Sequence, residues 1–521
     1  MPPETGLVIY TETRVNGQIA IRSWLRFESI ECPCEASIWV DIHSLEKPDE
    51  LPERHFCEAT LDSQGEVSGI DFYSSSGTTH FRFGNGQFRV NLPGGVGRRG
   101  DFCAEVISVG SVVPVFAWTL SKVGFQDGVC DMTLFNCDRL VEQAYRVERQ
   151  ADASYKDTFG QTLIFDDAGC LVGISKQDVV TRLQWSTALS VPAWGKRQVL
   201  EARADSPDQS HYACEPVVFD THAAHIAGDV LLPTGGWDSV KAVSLFIGGT
   251  GAYDRYGICG SMDLGYHEMH QRLADAGVAV LRIDLPGNGE SRYVQDKVEP
   301  DFREQLAFYE GALESMDGRL ASTGPVHVIG HSMGGVMALE LAARCRIVAS
   351  VILINAPGRP VDALMRDQAV RKLDALGVSE TQRREELEKQ DAFFYHVQHT
   401  KDWSEATVPA DVLPLKSESL WFRQLMAVDP GALLSRLEKP ALVIVGQQDE
   451  QVFDEDARLL AAALGRPERF VRIRDLAHHF KAIRSRSVTE TDKACLDEVT
   501  GAVLTFMDSL NGLQREDGSF Q

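Results

Sequence analysis

A chain of 521 residues is longer than a single hydrophobic core usually serves, so two domains are expected. With 44% hydrophobic and 24% charged residues the composition is that of an ordinary globular protein, and no apolar run approaches the roughly 18 residues a membrane helix needs. A formal net charge of −24 opposes binding to nucleic-acid backbones and to anionic membrane surfaces, both of which require positive patches.

The N-terminal stretch "MPPETGLVIYTETR" lacks the basic start, apolar middle and small-residue cleavage site of a secretory signal, so a cytoplasmic protein is expected. Its eleven cysteines are scattered, without paired zinc-ligand spacing, and read as reduced thiols. Neither a metal nor a cofactor is expected.

From about Leu7 to Val199 short alternating runs, such as "QIAIRSWLRF", "GQFRVNL" and "VVTRLQWS", are separated by Gly, Asn and Asp turn signals. Period-two alternation predicts antiparallel β structure with one buried face. One helix is expected to interrupt it over "CDRLVEQAYRVERQ", residues 137–150. This β-rich N-terminal domain, residues 1–210, carries no motif with chemistry; it is expected to roof an active site, bind a partner or mediate self-association. The polar, turn-rich stretch 201–216 marks the boundary.

Beyond it, residues 211–521, the rhythm changes. Apolar β-branched runs "AVSLFIGG", "VAVLRIDLPG", "VHVIG" and "VASVILINAP" alternate with helical patterns such as "YHEMHQRLADAG" and "DFREQLAFYEGALESM". Strands apolar throughout, separated by amphipathic helices, predict a doubly wound α/β domain with a parallel sheet covered on both faces. Residues 360–436 break the alternation and read as a helical cap inserted between core strands, with aromatics at Phe393, Phe394, Tyr395, Trp403, Trp421 and Phe422. "PALVIVG" and "RFVRIRDL" then restore the strand rhythm. A last helix, with Leu496, Val499, Val503, Phe506 and Leu510 on one face, closes the domain.

Within "VIGHSMGGVMALELA" residues 330–334 fit G-x-S-x-G, with a strand before and a helix after. A nucleophile on so sharp a turn needs small neighbours, and the helix starting at Met333 directs its free N–H groups toward a developing oxyanion. A serine hydroxyl needs a histidine to take its proton and a carboxylate to orient that histidine. Candidates follow in the chain order serine, acid, histidine. Asp449, with Glu450 beside it, follows "LVIVGQQ"; His478 and His479 follow "FVRIRDLA". Each sits just past a predicted strand, where catalytic groups collect in open α/β sheets.

These residues carry a resemblance. The chain from about residue 217 onward resembles the α/β-hydrolase superfamily, in particular a bacterial serine-hydrolase branch with a G-S-G-P-x-D-R-x-G stretch after the first long core strand. Here that stretch is "GTGAYDRYG", Gly249 to Gly257, with Thr for Ser and Ala-Tyr for the Pro-x pair. "RIDLPGNGES", the D-x-Q-V acid loop Asp449 to Val452 and an H-x-x-K histidine loop also match; the last selects His478, with Lys481 in register, over His479. The resemblance implies Ser332 as nucleophile, His478 as general base and then acid, and Asp449 as the orienting carboxylate. It implies an oxyanion hole from the Met333 N–H and one from the Thr250 and Gly251 turn.

Tyr253, His331, Phe394 and Trp421 are the candidate lining of the substrate pocket, His331 as a packing or hydrogen-bonding neighbour of the nucleophile. Arg255 with Asp254 is expected to hold the oxyanion loop, and Asp284 the loop "DLPGNGES". The chemistry implied is acyl transfer through an acyl-serine, with a small-molecule carboxylic ester or thioester as substrate. An acyltransferase or a carbon-carbon bond hydrolase would use the same residues. A catalytically inactive receptor or scaffold is the alternative of another class.

Overall fold

In a computed structural model of the chain, residues 6–516 are described except 29–33, 44, 46–51, 63–65, 75–76, 92–96, 110–111, 124–128, 138–140, 195, 197–198, 200–206, 252, 260–261, 295–300, 376, 400–415 and 482–488. Ala252 and the cap residue Trp403 therefore lie outside the described residues. The described residues form two compact units. One takes those of Met1–Arg203 together with Ala369–Gln390; the other takes those of Ala204–Gln368, Asp391–Thr407 and Leu413–Gln521. The expected cap is thus divided, and residues 369–390 belong with the N-terminal strands. Composition changes at the same place: "ETQRREELEKQ" is charged, whereas "DAFFYHV" is aromatic.

Among the described residues of the N-terminal unit fifteen strands form one sheet. Antiparallel neighbours run outward from a central pair, Val8–Val15 against Val179–Ser186, until Val106–Ser108 closes one end in parallel with Val129–Asn136. The sheet curls: Phe83 and Phe88, near one end of the strand order, bring their rings to 5.7 and 4.8 Å from Phe135, near the other. A helix of this unit spans Val113–Lys122, with a proline at its first turn, and buries Val115, Ala117, Trp118 and Leu120. Trp118 packs on Phe27 at 4.6 Å.

The helix expected over residues 137–150 is instead a strand, Val141–Arg149. Leu, Glu, Gln, Ala and Arg favour a helix locally, but Tyr145 and Val147 alternate into the core while Ala144, Arg146 and Glu148 face out, so the period-two burial decides.

The second unit is built on strands β1 (Ala213–Asp220), β2 (Ala224–Leu232), β3 (Ala242–Ile247), β4 (Val278–Ile283), β5 (Val326–His331), β6 (Val348–Ile354), β7 (Ala441–Gln448) and β8 (Phe470–Ala477). Their spatial order is β1-β2-β4-β3-β5-β6-β7-β8. β2 pairs antiparallel with β1 and β4, and the pairs from β4 to β8 are all parallel. Consecutive residues serve opposite faces. Val328, Leu353 and Val443 join one core cluster, with helices α2 (Phe302–Ser315) and α3 (Met333–Arg344); Ile329, Ile352 and Leu442 join the other, with α1 (Tyr266–Asp275). This is why the strands read as apolar throughout.

Between β6 and β7 the chain forms α4 (Val361–Ala375), α5 (Glu380–His399) and α6 (Lys416–Met426). After β7 comes α7 (Asp454–Leu464), and after β8 comes α8 (Glu490–Glu516), which buries Leu496, Val499, Val503 and Phe506. Among the described residues no helix is long and apolar enough to cross a membrane.

Candidate active site

The turn from β5 into α3 is made by one residue. Ser332 has φ 54° and ψ −128°, a backbone conformation that costs a non-glycine residue energy and occurs where surrounding structure enforces it. Its N–H donates to the Ile354 carbonyl at 2.9 Å, tying the turn to β6. The flanking glycines are required by space. A Cβ on Gly330 would lie 2.4 Å from the Gly334 carbonyl oxygen, and one on Gly334 would lie 2.3 Å from the carbonyl oxygens of Ile247 and Gly248.

The structure brings Ser332, His478 and Asp449 together. His478 Nε2 is 3.0 Å from Ser332 Oγ, and its Nδ1 is 2.9 and 3.0 Å from the two oxygens of Asp449. A carboxylate only accepts, so Nδ1 carries the hydrogen and Nε2 is left to accept from the serine hydroxyl. Both partners are shielded, with the His478 and Asp449 side chains 6% and 2% exposed. Asp449 is fixed by the N–H groups of Gln451 and Val452, which donate to its Oδ1 at 2.8 and 2.9 Å. Glu450 is exposed, and His479 stands beside Gln451, 3.4 Å away, rather than at the serine.

Met333 opens α3, so its N–H has no intrahelical acceptor. The turn after β3 lies directly against the serine: a Cβ on Gly249 would be 2.9 Å from Ser332 Cβ. Thr250 and Gly251 are exposed at this turn. The Gly249 N–H is already engaged, donating to Tyr266 Oη at 3.2 Å. The Tyr253 hydroxyl donates to the Gly249 carbonyl, and its ring stands edge-on to Tyr266 at 5.5 Å.

Arg255 holds this loop, but with partners other than Asp254. Its backbone N–H and Nη2 donate to Asp284 at 2.6 and 2.8 Å, and its Nη1 to Asp229 at 3.2 Å. Asp254 instead accepts from the N–H groups of Tyr256 and Ile258. Asp284 also accepts from the Glu290 N–H at 2.8 Å, which fixes the "DLPGNGES" loop.

His331 is fully buried and sits behind the serine. Its Nε2 donates to the His478 carbonyl at 2.6 Å, and its Nδ1 accepts from Tyr266 Oη at 2.9 Å. Burial, reinforced by His478 and His479, pushes its pKa well below the ordinary histidine value. His331, His478 and His479 bring ring nitrogens within 4.8 Å of one another. Both nitrogens of His331 and of His478 are committed to hydrogen bonds, so the cluster does not form a metal cage.

Phe394 and Trp421 pack into the core cluster that also holds Met333. Trp421 Nε1 donates to Gln305 of α2 at 3.0 Å, so these aromatics seal the insertion onto the α/β body.

Three supporting residues escape a reading of local pattern. Asn355, just after β6, has φ 48°; its Nδ2 donates to the carbonyls of Ala477 and His478 at 2.8 and 3.1 Å, and its Oδ1 accepts from the Gly446 N–H at 2.7 Å. It thus joins the acid and histidine strands. Tyr266 links the turn after β3 to His331. Asp263 accepts from Lys481 Nζ at 2.5 Å and faces His267 Nε2 at 3.2 Å. Burial alone would raise its pKa, but the hydrogen bonds from His267 and Lys481 hold it down at about 2. Only Lys481, in register after His478, hinted at this anchor.

This strand order, with a strained serine between β5 and α3, defines an α/β-hydrolase fold in the C-terminal part, preceded by a β-rich N-terminal region. Residues 230–484 match the sequence profile of the alpha/beta hydrolase family. The chain is 27% identical over 194 residues to the esterase EstD of Thermotoga maritima, covering 36% of this chain and 42% of that protein, less than half of the relative's length. Among solved structures it is similar to an esterase of Pyrococcus furiosus, with 14% identity, 61% of this chain and 96% of that one covered, and a TM-score of 0.39. It is also similar to Est1E of Butyrivibrio proteoclasticus with ferulic acid bound, at 20% identity, 56% and 98% coverage and a TM-score of 0.37.

Proposed function

We propose that the protein is a serine hydrolase that cleaves a carboxylic ester or thioester through an acyl-serine intermediate. The observation that carries this reading is the continuous hydrogen-bonded line from Asp449 through His478 to Ser332 Oγ. His478 takes the proton of Ser332 as Oγ attacks the acyl carbon, and the resulting oxyanion accepts from the Met333 N–H and from an N–H of the Thr250 and Gly251 turn. His478 then gives that proton to the departing alkoxide or thiolate, leaving the acyl group on Ser332. Water, deprotonated by the same imidazole, attacks the acyl-serine, and the carboxylic acid leaves as the serine is reprotonated.

The profile match over residues 230–484 and the likeness to the esterase EstD support ester cleavage in general. An acyl group with apolar character is proposed because Phe394 and Trp421 of the insertion belong to the same core cluster as Met333.

The test is turnover of p-nitrophenyl esters of short and medium acyl length by the full chain and by Ser332→Ala. Turnover in the first and none in the second is expected. Equal release by both proteins contradicts the reading. An acyltransferase would be recognised in the same assay by faster release when an alcohol or amine is added, with the ester of the alcohol or the amide of the amine as product.

A further inference from the structure

We propose that the N-terminal unit carries a binding site of its own, for an uncharged, mostly apolar small molecule with a hydrogen-bond donor. The inference does not depend on the hydrolase reading.

A pocket of about 490 Å³ opens on this unit, and every residue that lines it belongs to that unit. A space of this size falls in the range of small-molecule sites. Its body is apolar, with Ile21, Phe116, Phe159 and Ile174 on the wall beside the start of the helix Val113–Lys122. The first half of α5 supplies another part of the wall. Gln177 Nε2 donates to Glu385 at 3.2 Å and fastens that helix to the turn between two strands.

Two features define the ligand. The charged lining residues are Lys176 and Glu386, of opposite sign, so the cavity has no bias toward an anion or a cation. The side-chain oxygen of Gln382 is buried, lines the cavity and has no hydrogen-bond partner among the described residues. A buried acceptor left unpaired costs free energy, and an N–H or O–H on a molecule in the cavity removes that cost.

The probe is N-phenyl-1-naphthylamine, which is neutral and apolar, carries one N–H and fluoresces on leaving water. Titration into the full chain should give saturable fluorescence with one site per chain. Ile174→Trp, which fills the cavity, should abolish it. Gln382→Leu, on a half-exposed helix position that folding tolerates, should weaken it about five-fold. The same variant should bind pyrene, which has no donor, as well as the unsubstituted chain does. Circular dichroism confirms that each variant is folded. A signal that does not saturate, or saturable binding that both folded variants leave unchanged, overturns the proposal. If Ile174→Trp does not fold, Gln382→Leu decides alone: equal loss for both dyes, or loss for neither, overturns it.

Discussion

His331 donates its Nε2 hydrogen to the backbone carbonyl of His478, the residue whose side chain meets Ser332. Because a carbonyl can only accept, this bond fixes the tautomer of His331 and leaves Nδ1 to accept from Tyr266. Tyr266 in turn accepts from the Gly249 N–H. One polar line therefore connects the turn proposed to hold the oxyanion with the loop that carries the proposed general base.

In the proposed mechanism His331 acts through His478, as a positioning residue. His331→Phe, close in shape but without the ring nitrogens, should lower kcat by about ten- to a hundred-fold and leave KM nearly unchanged. Steady-state kinetics on folded variant protein checks this. A change in KM alone would place His331 in the substrate pocket instead.

Asp449→Asn keeps the shape of the carboxylate but reverses what His478 Nδ1 must do. The imidazole is then held in the wrong tautomer or not held, and kcat should fall by about 10⁴. Glu450→Gln, at an exposed position, should leave kcat within about two-fold. Comparable losses in both would undo the choice between the two carboxylates.

Gly334→Ala places a methyl group where the Ile247 and Gly248 carbonyl oxygens already stand, 2.3 Å from the position of the new carbon. Backbone must move to admit it. A loss of more than about 3 kcal/mol in urea unfolding, together with loss of turnover, is expected. Gly318→Ala, with nothing within 4 Å of the added carbon, should be tolerated.

Stability should fall as the solution is acidified below about pH 6.5. His327 is buried in β5 with Nδ1 2.7 Å from Ser350 Oγ, and burial pushes its pKa down to about 4. The unfolded chain binds a proton there near pH 6.5 and the folded chain does not, so its contribution is complete above 6.5 and is lost progressively toward 4. At about pH 5 the loss is up to about 2 kcal/mol. Urea midpoints measured across this range should fall less steeply for His327→Gln than for the natural chain; parallel slopes would contradict the assignment.

The parts legible in the sequence are those whose physics is local. Ser332 lies in a glycine-flanked motif that only a tight turn requires, and Asp449 and His478 each follow an apolar strand run, so pattern led to the acid and histidine loops and the family resemblance to Asp449 and His478 within them. Asn355, Tyr266 and Asp263 were silent because their partners lie far along the chain: Asn355 reaches Gly446 and His478, and Asp263 reaches Lys481. Such bonds leave no period in the sequence. Helix-forming composition misled at residues 137–150, where burial of Tyr145 and Val147 in the sheet outweighs propensity. The helix Val113–Lys122 was hidden by its β-branched and aromatic residues, although Pro114 marks its first turn. The division of the insertion between two units depends on which strands α5 packs against, and local pattern does not contain that.

The central claim is that Ser332 is a nucleophile activated by His478. The most direct measurement is labelling with a fluorophosphonate probe, followed by peptide mass spectrometry, on the natural chain, Ser332→Ala and His478→Gln. A single phosphonate adduct on Ser332 in the natural chain, absent from Ser332→Ala and formed far more slowly in His478→Gln, is the predicted result. A folded natural chain that takes up no probe, or takes it up on another residue, would contradict it.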